Sequence, residues 1–232
     1  MTASIHRVRE ITIIALSLGL LASPAMAAPD LDGVWILYRA EKFARPVLTV
    51  EGQQKKDTYD FRVSDPALKC IPASWTRVYS NPNTPLEISQ HDDRIDVRYE
   101  LFDIVRTIPL VESLENIERG PASTNFETLG SSTGWYDGDS LVVHTNHYGA
   151  ESRVLTTIRG WAGLHQSSLM ATTERYTRDG DTLLIDITHF DPVMYQEPLT
   201  VNYTLDLETE FEVQPYGCDP ADAAVNSIED EQ

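Results

Sequence analysis

The chain has 232 residues, 36 acidic side chains against 18 basic ones, 41% hydrophobic residues and a formal net charge of -18. Such a composition is ordinary for a globular protein and excludes collagen, a coiled coil or a polytopic membrane protein. The charge argues against nucleic acid and anionic lipid as partners, since both need phosphate neutralised by Lys and Arg.

Residues 1–27 read as a secretory signal. Arg7 and Arg9 give a positive start, Ile11 to Ala22 an apolar run too short to span a bilayer comfortably, and Ala25-Met26-Ala27 an A-x-A cleavage box. No cysteine lies near the box, so the expected product is periplasmic or secreted, with no membrane insertion after signal removal. In an oxidising compartment Cys70 and Cys218, the only two cysteines, are expected to pair and join early and late parts of one fold; two free thiols are the alternative.

Period-two alternation then dominates, and long 3.6-residue periodicity is nearly absent. Gly33 to Tyr38 opens a series of strands. Leu86 to Gln90 and Ile95 to Leu101 flank a polar turn, with Ile95, Val97, Tyr99 and Leu101 on one face. Val111 to Arg119 is the one short helix expected, because Val111, Leu114 and Ile117 fall three apart. Asp137-Gly138 and Asp179-Gly180 mark two hairpins, and Asp-Gly is a strong hairpin signal because it tolerates positive φ. These hairpins repeat each other: DGDSLVVHTNHY from Asp137 and DGDTLLIDITHF from Asp179. Leu199 to Leu207 and Phe211 to Tyr216 complete the series. The expected fold is all-β: one antiparallel up-and-down barrel over residues 28–218, followed by an acidic disordered tail at 219–232. From Asp179 to Gln232 there are fourteen acidic residues and no Lys or Arg, expected to form largely a solvent face and a tail, so the site is sought in the less acidic stretch from Tyr99 to Asp191.

Inward-facing polar residues are the candidates for chemistry. If Leu141, Val143, Leu183, Ile185 and Ile187 point inward, parity carries His147 and His189 inward too. With His165 and Glu174 they can form an acid/base pair or contact a ligand; no compact H-x-H or H-E-x-x-H spacing supports a metal. Gly130-Ser131-Ser132-Thr133-Gly134 matches G-x-S-x-G literally, but a hairpin follows it instead of the helix that a nucleophile elbow needs.

Gly33-Val34-Trp35 resembles the G-x-W signature of lipocalins and related calycin barrels, where a late-strand Arg commonly packs on the Trp; the last basic residue here is Arg178. A wider pattern covers most of the chain after the signal: the G-V-W start, Cys70-Ile71-Pro72, Arg106-Thr107-Ile108, Ser132 to Thr145, His165 with Ser168, Glu174-Arg175, Thr188 with Asp191-Pro192, and Tyr216-Gly217-Cys218. It resembles a large family of uncharacterised secreted bacterial proteins. The resemblance implies a calycin-like barrel, brings no established activity, and points at Arg106, Trp135, His165, Ser168, Glu174, Thr188 and Asp191. His144 stands where the family pattern has Asp, and His147 and His189 are not part of it. The expectation is a barrel that binds a small, partly apolar molecule in its interior. Tyr99 and Trp135 supply wall, and Arg106, His147, His165, Ser168, Glu174, Thr188 and His189 polar contacts. The alternative is a cofactor-free lyase, isomerase or hydratase on the same barrel, with His165, Glu174 and Asp191 as acid and base.

Overall fold

The computed structural model describes residues 28–40, 45–112, 123–149, 153–156 and 161–219. The expected signal at 1–27, most of the expected helix at 111–119 and nearly all of the expected tail lie outside the described residues.

Nine antiparallel-paired strands curl into a nearly closed barrel. In chain order its strands are β1 (Gly33–Ala40), β2 (Pro85–Gln90), β3 (Arg94–Tyr99), β4 (Ile104–Pro109), β5 (Ser131–Asp137), β6 (Ser140–Asn146), β9 (Ala171–Asp179), β10 (Thr182–Phe190) and β11 (Leu199–Glu208). A separate ribbon pairs β7 (Arg153–Thr156) with β8 (Leu164–Gln166). The barrel order is β4-β3-β2-β1-β11-β10-β9-β6-β5, so the first and last strands of the chain are neighbours. At the seam β4 and β5 meet through the parallel bridge Leu110–Gly134, with Val111 N donating to Gly134 O at 2.8 Å. A Cβ on Gly134 would lie 3.0 Å from Ile108 Cγ2, so the small residue lets the two edges approach.

Strand alternation sets what faces inward. Leu141, Val143, Leu183, Ile185 and Ile187 are all buried in one core cluster, as their parity requires. Both Asp-Gly turns lie at one end of the barrel, with Gly138 and Gly180 at positive φ. Trp35 closes that end: its indole N–H donates to Leu31 O at 3.0 Å, and the Arg178 guanidinium lies 5.4 Å from the ring centroid.

The other end is covered by short elements that strand periodicity does not announce: α1 (Val50–Asp57), α2 (Phe61–Ser64) and α3 (Trp75–Tyr79). Each begins at a side-chain cap, Thr49, Asp60 or Ser74, which accepts a backbone N–H of the first turn. Helix α1 docks on the turn after β10, where Thr49 N donates to Met194 O at 3.1 Å. A Cβ at Gly52 would lie only 2.2 Å from that same carbonyl, which explains the glycine. Helix α3 turns Trp75, Val78 and Tyr79 into the core. Among the described residues no helix is long and apolar enough to cross a membrane.

Phe211–Tyr216, read from sequence as a strand, lies outside the sheet. Its backbone donors go to carboxylates instead: Gln214 N to Glu100 at 3.1 Å and Tyr216 N to Asp103 at 2.9 Å. The segment leads into the Cys70–Cys218 disulfide, whose Cα atoms are 5.8 Å apart across 148 residues of sequence. Closing so long a loop restricts the unfolded chain, and reduction is expected to lower the unfolding free energy by about 5 kcal/mol in the chain-entropy model. Urea denaturation with and without reductant measures this; coincident curves would contradict it.

Candidate functional site

The centre of the barrel is polar. Ile104 and Ile108 on β4 face inward and carry Arg106 with them; Thr172 and Tyr176 on β9 do the same for Glu174. Arg106 and Glu174 have no exposed surface and form a two-pronged ion pair, Nη2 to Oε1 at 2.7 Å and Nη1 to Oε2 at 2.9 Å. Arg106 Nε and Nη2 also donate to Ser132 Oγ at 3.1 and 2.8 Å, and Nη2 to Thr145 Oγ1 at 2.9 Å. The Trp75 ring stacks on the guanidinium, 3.9 Å from its carbon. Glu174 Oε2 further accepts from the Tyr176 and Tyr79 hydroxyls at 2.5 and 3.1 Å, and the Tyr79 and Tyr99 hydroxyls bond each other at 2.9 Å.

Burial alone would raise the Glu174 carboxyl, but the Arg106 charge and hydrogen bonds from Arg106, Tyr176 and Tyr79 hold it below the usual value. Burial and the adjacent Glu174 push the Tyr79 and Tyr176 hydroxyls well above theirs. Every group is neutral or paired, and the void beside Tyr79 measures about 10 Å³, room for at most one water. The arrangement is a polar core that fixes β4, β5, β6, β9 and α3 to one another.

His189 also faces inward and is fully buried, as its parity requires. Its Nε2 meets Thr76 Oγ1 at 2.6 Å and its Nδ1 Thr172 Oγ1 at 3.2 Å. Asp191 is buried and caps a turn: Oδ2 accepts Ser167 N at 2.6 Å, and Oδ1 accepts Ser167 Oγ at 2.8 Å and Val193 N at 3.1 Å. Ser167, not the exposed Ser168, is thus the serine in contact with Asp191. His165 is half-buried, with Nδ1–H donating to Gly163 O at 2.7 Å and its ring set edge-on to Tyr59 at 5.9 Å. Burial lowers its imidazole below the usual value.

His165, Glu174 and Asp191 therefore serve different neighbours, each bonded to its own set of partners and none to another of the three. Trp135 lies on the outer face, opposite in parity to Ser132 and Gly134, and Thr188 is outward beside Thr200 Oγ1 at 3.2 Å. His147 follows the end of β6 at φ 60°, exposed, with Nδ1 against Asn146 Oδ1. Ser132 of the G-x-S-x-G match is held by Arg106 inside a strand.

A larger concavity lies at the helical end. A cleft of about 920 Å³ is lined by Lys56 to Phe61, Asp65, Arg77 and Ala162. Its Tyr59 hydroxyl is buried without a hydrogen-bond partner among the described residues, and burial, with Asp65 nearby, pushes it up to about 12. Sequence patterning gives no sign of this cleft or of the core partners on α3. Only Tyr176 carried a signal, two residues from Glu174 on one strand face. No protein-family model matches the chain, and no curated protein matches it.

Glu174→Gln leaves a buried guanidinium without its counter-charge and is expected to cost about 3–5 kcal/mol of stability. Arg106→Met with Glu174→Leu should cost less than the sum of the single changes; additive losses in urea titrations would contradict the coupling. Burial pushes the His189 imidazole down from 6.5 to about 4. Above pH 6.5 it is neutral in both states. Between those values only the unfolded chain takes up the proton, so stability drops by about 3 kcal/mol as the pH is lowered and levels off below 4. His189→Gln should flatten that part of the stability profile.

Proposed function

We propose that this is a periplasmic or secreted binding protein for a small, partly apolar molecule, related to the secreted family that its motifs resemble. The ligand sits in the cleft at the helical end of the barrel, not at the barrel's centre. One observation carries the reading: a concavity of about 920 Å³ lined by Tyr59, Phe61 and Ala162 together with charged groups, Lys56, Arg77 and three aspartates. That size suits a drug-sized molecule, and a mixed apolar and polar lining is what such sites use for affinity and orientation. Phe61, at the start of α2, is 57% exposed, apolar surface that a bound molecule would cover. The central Arg106–Glu174 network supports the same choice, since its donors and acceptors are already engaged with one another.

The neutral fluorophore N-phenyl-1-naphthylamine tests the proposal. Saturable fluorescence enhancement is expected, and Ala162→Trp, which fills the cleft from its rim, should weaken it about tenfold or more. Absence of saturation, or equal binding by the filled variant, would overturn it.

A further inference from the structure

In a chain with twice as many acidic as basic side chains, arginines find carboxylates. Arg94 meets Asp96 at 3.0 Å, Arg98 Glu87 at 3.2 Å, Arg106 Glu174 at 2.7 Å, Arg175 Asp137 at 2.5 Å and Arg178 Asp30 at 3.4 Å. Arg77 is different. It projects from the half-buried side of α3 into the cleft, and among the described residues its guanidinium has no hydrogen-bond or ion-pair partner.

Three carboxylates line the same cleft, and each has a local donor. Asp60 Oδ1 accepts Arg62 N at 3.0 Å to start α2, Asp65 Oδ1 accepts Ala67 N at 2.9 Å to start the next turn, and Asp57 Oδ1 accepts Gln53 Nε2 at 2.7 Å. Asp57 and Asp60 are exposed and keep their hydration, whereas Arg77 is partly withdrawn from water. A half-desolvated guanidinium held apart from three nearby carboxylates offers its planar fork to an incoming anion. Lys56, half-buried in the lining of the same cleft and likewise without an ion-pair partner among the described residues, adds a second positive charge.

We infer that the cleft selects molecules with a single negative charge, a carboxylate, sulfonate or phosphate diester, placed on Arg77 with the apolar body against Tyr59 and Phe61. The acidic rim turns away polyanions, because each further negative charge would face Asp57 or Asp60. The chain's negative charge opposes anions generally, so the preference is local to the cleft.

This inference rests on the binding reading above, and two probes separate them. Anilinonaphthalene sulfonate carries one negative charge on a body similar to that of neutral N-phenyl-1-naphthylamine. The protein purified after signal removal should bind the sulfonate about tenfold or more tightly than the neutral probe at low salt, as expected for a charge-assisted contact. Arg77→Gln should bring the two affinities together while leaving the neutral probe's affinity in place, and Arg77→Lys should keep part of the preference. Equal affinities for the unaltered protein, or a preference that survives Arg77→Gln, would overturn the anion site but leave the binding reading intact. Saturation by neither probe would overturn both. An unchanged urea midpoint for Arg77→Gln confirms that a loss is local, and Arg77→Lys alone decides the matter if that variant does not fold.

Discussion

A guanidinium and a carboxylate with no exposed surface lie at the middle of this barrel, and much of the interior is arranged to make that tolerable. Removing both charges from water is costly, and their attraction offsets the cost only when the remaining donors and acceptors are also met. Ser132 and Thr145 take the outer hydrogens of Arg106, Tyr79 and Tyr176 serve Glu174, and Trp75 covers the guanidinium face. These partners come from β5, β6, β9 and α3, so with Arg106 on β4 one ion pair ties five elements together. Helix α3 has only five residues and cannot be stable alone; the polar core is what holds it.

That arrangement decides where chemistry can happen. The residues with the most perturbed titration are the ones least able to meet a substrate, because their shifts come from burial and from one another. Perturbed groups are often a guide to active sites, but structural networks produce the same signature. At the helical end the balance is reversed: among the described residues the buried Tyr59 hydroxyl has no hydrogen-bond partner, and the Arg77 guanidinium, unpaired, lines an open cleft.

Strand alternation and turn chemistry made most of the barrel legible. Asp-Gly turns fixed two hairpins, parity placed His189 and the Leu141 and Ile185 rows inward, and the two cysteines proved to be joined. Parity failed for His147 because β6 ends at Asn146 and the next residue takes positive φ, which breaks the alternation. The helices stayed hidden for a different reason. Helix α1 buries only Gly52 and has no apolar stripe, and α3 is too short to show a period, so the cleft they frame had no sequence signature. Nor could spacing show that Ser167 and not Ser168 meets Asp191, since that depends on how the chain leaves β8.

The pairing of β1 with β11 has a consequence for how the molecule is made. Its partners are separated by almost the whole chain, Val34 opposite Glu208 and Leu37 opposite Leu205. Until the last strand arrives, β1 and β10 each present an open edge, and unsatisfied edges recruit other chains. Closure is a late, long-range event of the kind that slows folding. Cys218 follows β11, so the disulfide forms only after the last strand has been delivered. The bridge then acts as a latch on a completed barrel, and a chain stopped short of β11 would have neither the latch nor the strand that hides its edges.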